Sequence, residues 1–249
     1  MNEIEKSLWS LSLSYLFILI IPYLIFGFSF TPGFISIPDL IDILLYPIVI
    51  GYIFVRLYHC LFKDHEDRTL RFMYLLSIIV HFEGHGFHWA ANAINETIIH
   101  IGADTPETIA NYVYYLDEIV SHKIMYLSLF AILYIILYLA IKYDLSVKEN
   151  AIKSMLIPSL ILGFSLPVTM IEGQSPYELI ICASIVLIII LTEIFRSGWR
   201  KISNNLLLSL LLITSATSIV LMVIYYIVFN GFPQPSEILG TSKLLISLC

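Results

Sequence analysis

The stretch "HFEGHGFHWAANAINE", residues 81–96, places His81, His85 and His88 within eight positions. About two dozen residues further on, "YLDEIVSH" brings Asp117, Glu118 and His122. Imidazole and carboxylate are the side chains that bind zinc, iron and manganese, and they are also the common carriers of protons. At about 100° per residue, His81, His85, His88 and Asn92 fall within a sector of roughly 60° on one helix. Ser77, Asn95 and Glu96 extend the same stripe. On the next helix, Glu118 and His122 are spaced i,i+4 and share a face, with Asp117 turned about 100° away.

The elements that must carry these residues are membrane helices. The chain has 249 residues, 59% of them hydrophobic and only 13% charged, with a mean hydropathy of +0.88. Soluble domains are roughly 45–50% apolar and about 25% charged. The fold class expected is all-α, a polytopic bundle forming one domain over residues 1–249. A membrane helix needs about 20 mostly apolar residues, and seven runs qualify: 8–30, 39–62, 69–99, 107–142, 152–171, 177–197 and 203–229. They are separated by "TPGFISIP", "KDHEDR", "GADTP", "YDLSVKEN", "EGQSP" and "RSGWRKISNN". The first run lacks the basic start and small-residue end of a signal peptide and reads as a retained helix. Residues 230–249 read as a loop-like tail.

Charge sets the expected orientation. Lys6, Arg56, Lys63, Arg68, Arg71, Lys142, Lys148, Lys153, Arg196, Arg200 and Lys201 share one side of this seven-span arrangement. Lys123 lies inside a span and Lys243 falls on the other side. The positive-inside rule then puts the amino terminus in the cytoplasm and the carboxyl terminus outside. An integral, multi-pass protein of a prokaryotic plasma membrane is expected. The net charge of −6 includes no basic stripe, so nucleic acid is not a partner. Cys60, Cys182 and Cys249 are too scattered for a disulfide framework or a thiolate zinc site.

A polar stripe cannot face lipid, where an ionisable group costs about 2.5–3.5 kcal/mol. The stripe of the third span must therefore meet another helix. The short loop 100–106 makes the fourth span its antiparallel neighbour. That register sets His88 level with Glu118, and His85 level with the neighbour of His122. One site is the expectation, with His81, His85, His88 and His122 as metal ligands and Glu118 or Asp117 as ligand or general base. Ser77, Asn92, Tyr115 and Glu96 would surround it, and Gly84 and Gly86 would let a helix come close. A divalent transition metal is implied, zinc first, with iron or haem as alternatives.

Seven spans, an inside amino terminus and the Ser77-x3-His81 pattern resemble the ceramidase and progestin/adiponectin-receptor type of zinc hydrolase. That type carries an H-x3-H in its final span, whereas no histidine follows His122 here. "HFEGH" resembles one histidine box of membrane desaturases, but the H-H boxes of those enzymes are missing. The chain is placed in neither group.

The functional expectation is a metal-dependent hydrolase acting on a lipid or other apolar substrate. A proton or divalent-metal transporter is the main alternative, and haem binding by two facing histidines is a further one. His59, His65 and His100 read as interfacial, as do Asp39, Asp42, Glu172 and Glu178. Tyr112, Tyr114 and Tyr115 read as an aromatic belt.

Overall fold

The structure is a computed structural model that describes the chain except residues 25–28, 32–34, 102–105, 236–237 and 239–249. Its description also leaves out the side chains of 21–24, 29–31, 35–40, 96 and 99–101. Asp39, Glu96, His100 and most of the tail therefore lie outside the described residues.

The long helices follow the apolar runs. They are α1 (Glu3–Leu24), α2 (Ile37–Phe62) and α3 (Arg68–Ile101), then α4 (Glu107–Tyr115), which continues through a π-helical turn at Leu116–Ser121 into α5 (His122–Tyr143). After these come α6 (Ala151–Glu172), α7 (Pro176–Ser197), the short α8 (Trp199–Ser203) and α9 (Leu206–Phe229). Among the described residues, one small antiparallel pair, Ser29–Thr31 with Ile35–Ser36, interrupts an otherwise helical architecture. The first helix begins five residues earlier than the hydropathy suggests, because Asn2 Oδ1 accepts from the Glu5 amide at 2.8 Å and caps it. Asp67 and Asn205 cap α3 and α9 in the same way.

Among the described residues, five segments are long and apolar enough to cross a membrane: Ile41–Phe62, Glu107–Tyr143, Ala151–Glu172, Pro176–Ser197 and Leu206–Phe229. They mark the chain as a multi-pass membrane protein. The helices alternate in direction, so the bundle has two ends. The amino-terminal end carries residue 3 and the 63–67, 144–150 and 198–205 connections. The tail end carries the 173–175 turn and residues 230–235.

Close packing explains the arrangement around α3. A side chain at Gly84 would place its Cβ 2.8 Å from the backbone nitrogen of Met125, so α3 can lie against α5 only with hydrogen there. Gly86, by contrast, faces open space. On the far side of the bundle, α6 packs along α9, and buried Ser159, Thr214 and Ser218 line this contact. Their hydroxyls are satisfied mainly by helix carbonyls, as in Thr214 to Ser159 O and Ser218 to Gly163 O.

Candidate functional site

The histidine stripe does face inward. His81 is completely buried, His85 and His122 nearly so, and Asp117 is 1% exposed. Yet the stripe serves two neighbours rather than one. Its deeper part meets α2, and its outer part meets the π-helical turn and α5.

His81 is fully engaged. Its Nδ1 lies 2.8 Å from the Met125 carbonyl and its Nε2 lies 2.7 Å from the Tyr46 hydroxyl. The carbonyl can only accept, so Nδ1 carries the proton and Nε2 accepts from Tyr46. Ser128 donates to the same carbonyl at 2.7 Å. With both nitrogens used, the expected metal ligand His81 is instead a hydrogen-bonded core histidine tying α2, α3 and α5 together. His85 stacks on Tyr46 with ring centroids 4.3 Å apart. Its Nε2 lies 3.5 Å from Asp42 Oδ2 and 3.4 Å from the Asp42 carbonyl. Asp42, expected at the interface, thus reaches the stripe, as does Tyr46, absent from the expected site. Their i,i+4 spacing on α2 was the available signal.

The second grouping is built by the π-helical turn. Such a turn widens the helix and shifts side chains from their α-helical bearings. As a result it is Asp117, not Glu118, that meets His88, with Oδ1 2.7 Å from Nδ1. The expected order of the two acids is therefore reversed. Two carbonyls of the turn take side-chain donors: Ser121 Oγ bonds to Asp117 O, and His122 Nδ1 donates to Glu118 O at 2.9 Å. The rings of His88 and His122 then stand 4.3 Å apart. Among the described residues, no hydrogen bond engages Nε2 of either ring. His122 also stacks on Tyr126, whose hydroxyl donates to Thr169 O at 2.8 Å. Gly173 makes this possible, since a Cβ there would lie 2.8 Å from that hydroxyl and 3.0 Å from the His122 ring.

Glu118 points toward the end of the bundle. Its Oε2 accepts from Gln234 Nε2 at 3.3 Å, and the same amide donates to Glu172 O at 2.6 Å. Gln234 had no signal in the sequence, where the tail read only as a loop. Of the remaining expected residues, Ser77 bonds to Met73 O, Tyr115 is exposed, and Asn92 is half-buried one turn beyond His88. The grouping thus holds His88, Asp117, His122 and Glu118, with His85 beside it and His81 apart. Among the described residues, no three His, Cys, Asp or Glu side chains are gathered as a group that could hold a metal ion.

Compared with known proteins, the chain matches no family model, no curated protein and no solved structure.

Proposed function

We propose that this protein is a membrane-embedded, metal-dependent enzyme, a hydrolase of a lipid or other apolar substrate, served from the tail end of the bundle. The observation that carries the reading is the state of two imidazoles. His88 and His122 lie ring against ring, with His88 Nδ1 2.7 Å from Asp117 Oδ1, His122 Nδ1 donating to Glu118 O, and neither Nε2 engaged by a hydrogen bond among the described residues. Metal-binding histidines are oriented in this way, by a carboxylate or carbonyl on the other nitrogen. Glu118 is the third donor. Its carboxylate must leave Gln234 and turn toward the two rings. Two imidazoles and a carboxylate are a known catalytic zinc complement, with a fourth position open for water. A zinc ion held by these residues would supply an activated water as nucleophile at neutral pH. Asp117, 2.7 Å from His88 Nδ1, would hold that ring in the tautomer that offers Nε2.

In this reading α1 and α3 cross the membrane with the five apolar segments, giving seven spans with the amino terminus in the cytoplasm. Eleven basic residues at one end support that orientation. In a variant with its native cysteines replaced, Glu107→Cys on intact cells should react with an impermeant thiol reagent and Glu149→Cys should not. The opposite pattern overturns the orientation.

The metal is tested by elemental analysis of detergent-purified protein, prepared without chelators. About one zinc per chain is expected, lost in His88→Ala and in His122→Ala and kept in Tyr46→Phe. A metal-free wild type, or full metal in both histidine variants, overturns the proposal. A Soret band would assign the histidines to haem instead.

A further inference from the structure

A cavity of about 170 Å³ lies between α6 and α9 near the tail end. Phe164, Val168 and Ile171 form one wall, and Leu221, Ile224 and Val228 form the other. Every lining side chain is apolar except Tyr225, and the Tyr225 hydroxyl is spent on Pro233 O at 2.6 Å. The cleft opens sideways, because Phe164, Ile224 and Val228 are 48%, 51% and 65% exposed. In a multi-pass protein that lateral surface borders hydrocarbon.

The cleft is joined to the histidine–carboxylate grouping at two points. Ile171 lines it, and the next residue, Glu172, accepts from Gln234. Pro235 also lines it, and the preceding residue is the Gln234 that holds Glu118. The segment 231–235 therefore runs from the mouth of the cleft to the polar site. Phe232 anchors this strap by packing on Tyr177, Tyr225 and Tyr226.

We propose that the cleft between α6 and α9 seats an acyl chain of a membrane lipid, whose polar head meets Glu118 and His122 beneath the strap at Gln234. The proposal deepens the hydrolase reading, and rests on it for the fate of the lipid. Three features point to this occupant. The walls offer no hydrogen-bonding group. The opening is lateral, where chains are already present. The cavity is smaller than the 300–1,000 Å³ typical of pockets that enclose whole ligands. A slender chain, with its remainder left in the bilayer, meets all three conditions. Gln234 is then a positioning residue: its amide exchanges Glu118 for the lipid head as the carboxylate turns to the rings.

The test uses the full chain in phosphatidylcholine nanodiscs that contain a phosphatidylcholine with a diazirine midway along one chain. After irradiation, labelled peptides are mapped. Labelling should concentrate on residues 164–171 and 221–228, several-fold above the exposed α2 face around Ile48 and Tyr52. Excess unlabelled phosphatidylcholine should suppress it. Val168→Trp and Ile224→Trp should each lower it several-fold, while Ile48→Trp leaves it unchanged. Ile224 is half-exposed, so its replacement tests the cleft without disturbing the core. Even labelling of both faces, or labelling that neither cleft variant changes, overturns the proposal. The readout needs neither metal nor turnover. Concentrated labelling of a metal-free protein keeps the cleft and sinks the metal, whereas bound zinc with even labelling sinks the cleft alone.

Discussion

Charged groups at the two ends of this bundle are handled in opposite ways. At the amino-terminal end they meet as opposite charges at the rim. Lys148 pairs with Glu5 at 2.7 Å, and Lys201 lies 3.1 Å from both Glu193 and Asp144. Glu3 bridges Lys6 and Arg56. These pairs join α1 to the α5–α6 connection and α7 to the α5 terminus, and each sets a cation against an acid. At the tail end Lys123 pairs with Glu178 at 2.7 Å, but Asp117 and Glu118 are drawn inside, acid beside acid, and no Lys or Arg neutralises either among the described residues. Imidazole is their partner instead. A rim of matched pairs locks helix ends together, whereas a buried set of acids and imidazoles, with two ring nitrogens unspent, is poised to take a positive charge. That difference separates structural polarity from the candidate site.

The comparison is broken most directly at Asp117. If it orients a metal-binding imidazole, Asp117→Asn should lower metal affinity about 10–100-fold, the usual cost of losing such a partner. Glu193→Gln, at the other end, should leave affinity unchanged. Competition with a zinc chelator of known strength measures both. Equal affinities for Asp117→Asn and wild type would make the tail-end acids structural too.

Gly84→Val addresses the packing that brings the stripe to α5. Its Cβ would collide with backbone rather than with a flexible side chain, so thermal unfolding in detergent should show a loss of about 1–3 kcal/mol. Gly86→Val, facing open space, should show little of it. A similar loss in both would mean that the close approach at Gly84 is not what matters.

Lys148→Ala sharpens the other side of the comparison. Glu5 is only 4% exposed, and the substitution leaves its carboxylate without a cation. The lysine itself is 37% exposed, so the loss should stay near ~1–2 kcal/mol rather than reach the value for a fully buried pair. Metal content should not change. A variant that keeps its stability but loses its metal would reverse the roles assigned to the two ends.

The smallest effect concerns pH. Hydrogen bonds from Lys6 and Arg56 hold Glu3 down to about 2, from an ordinary value of 4.5. A depressed acid contributes stability above its unfolded pKa and loses it as pH falls through the folded value. The melting temperature should therefore carry a small decline between pH 4.5 and 2 that Glu3→Gln lacks. An identical acid limb in the two proteins would show that the rim pair adds nothing.

How far the chain can be read without coordinates depends on the kind of information used. Apolar run length and punctuation place the long helices within a few residues, because a bilayer demands about 20 apolar residues and tolerates little else. They also require His81, His85, His88 and His122 to turn inward, because hydrocarbon excludes them. What periodicity carries poorly is bearing. One π-helical turn at Leu116–Ser121 exchanges Asp117 for Glu118 as the partner of His88, and an expectation built on 100° steps has no means of seeing it.

The neighbours of each histidine were likewise decided only by the assembled bundle. His81 belongs to Tyr46, 35 positions away, and Glu118 to Gln234, 116 positions away. No local pattern links such partners. The sequence by itself determined a helical membrane chain with a buried band of imidazoles and acids. Tertiary structure alone decided which imidazoles are spent on packing and which keep a nitrogen free. The physical reason is that hydrophobic length is a property of each segment, whereas hydrogen-bond satisfaction depends on what the rest of the chain brings within about 3 Å.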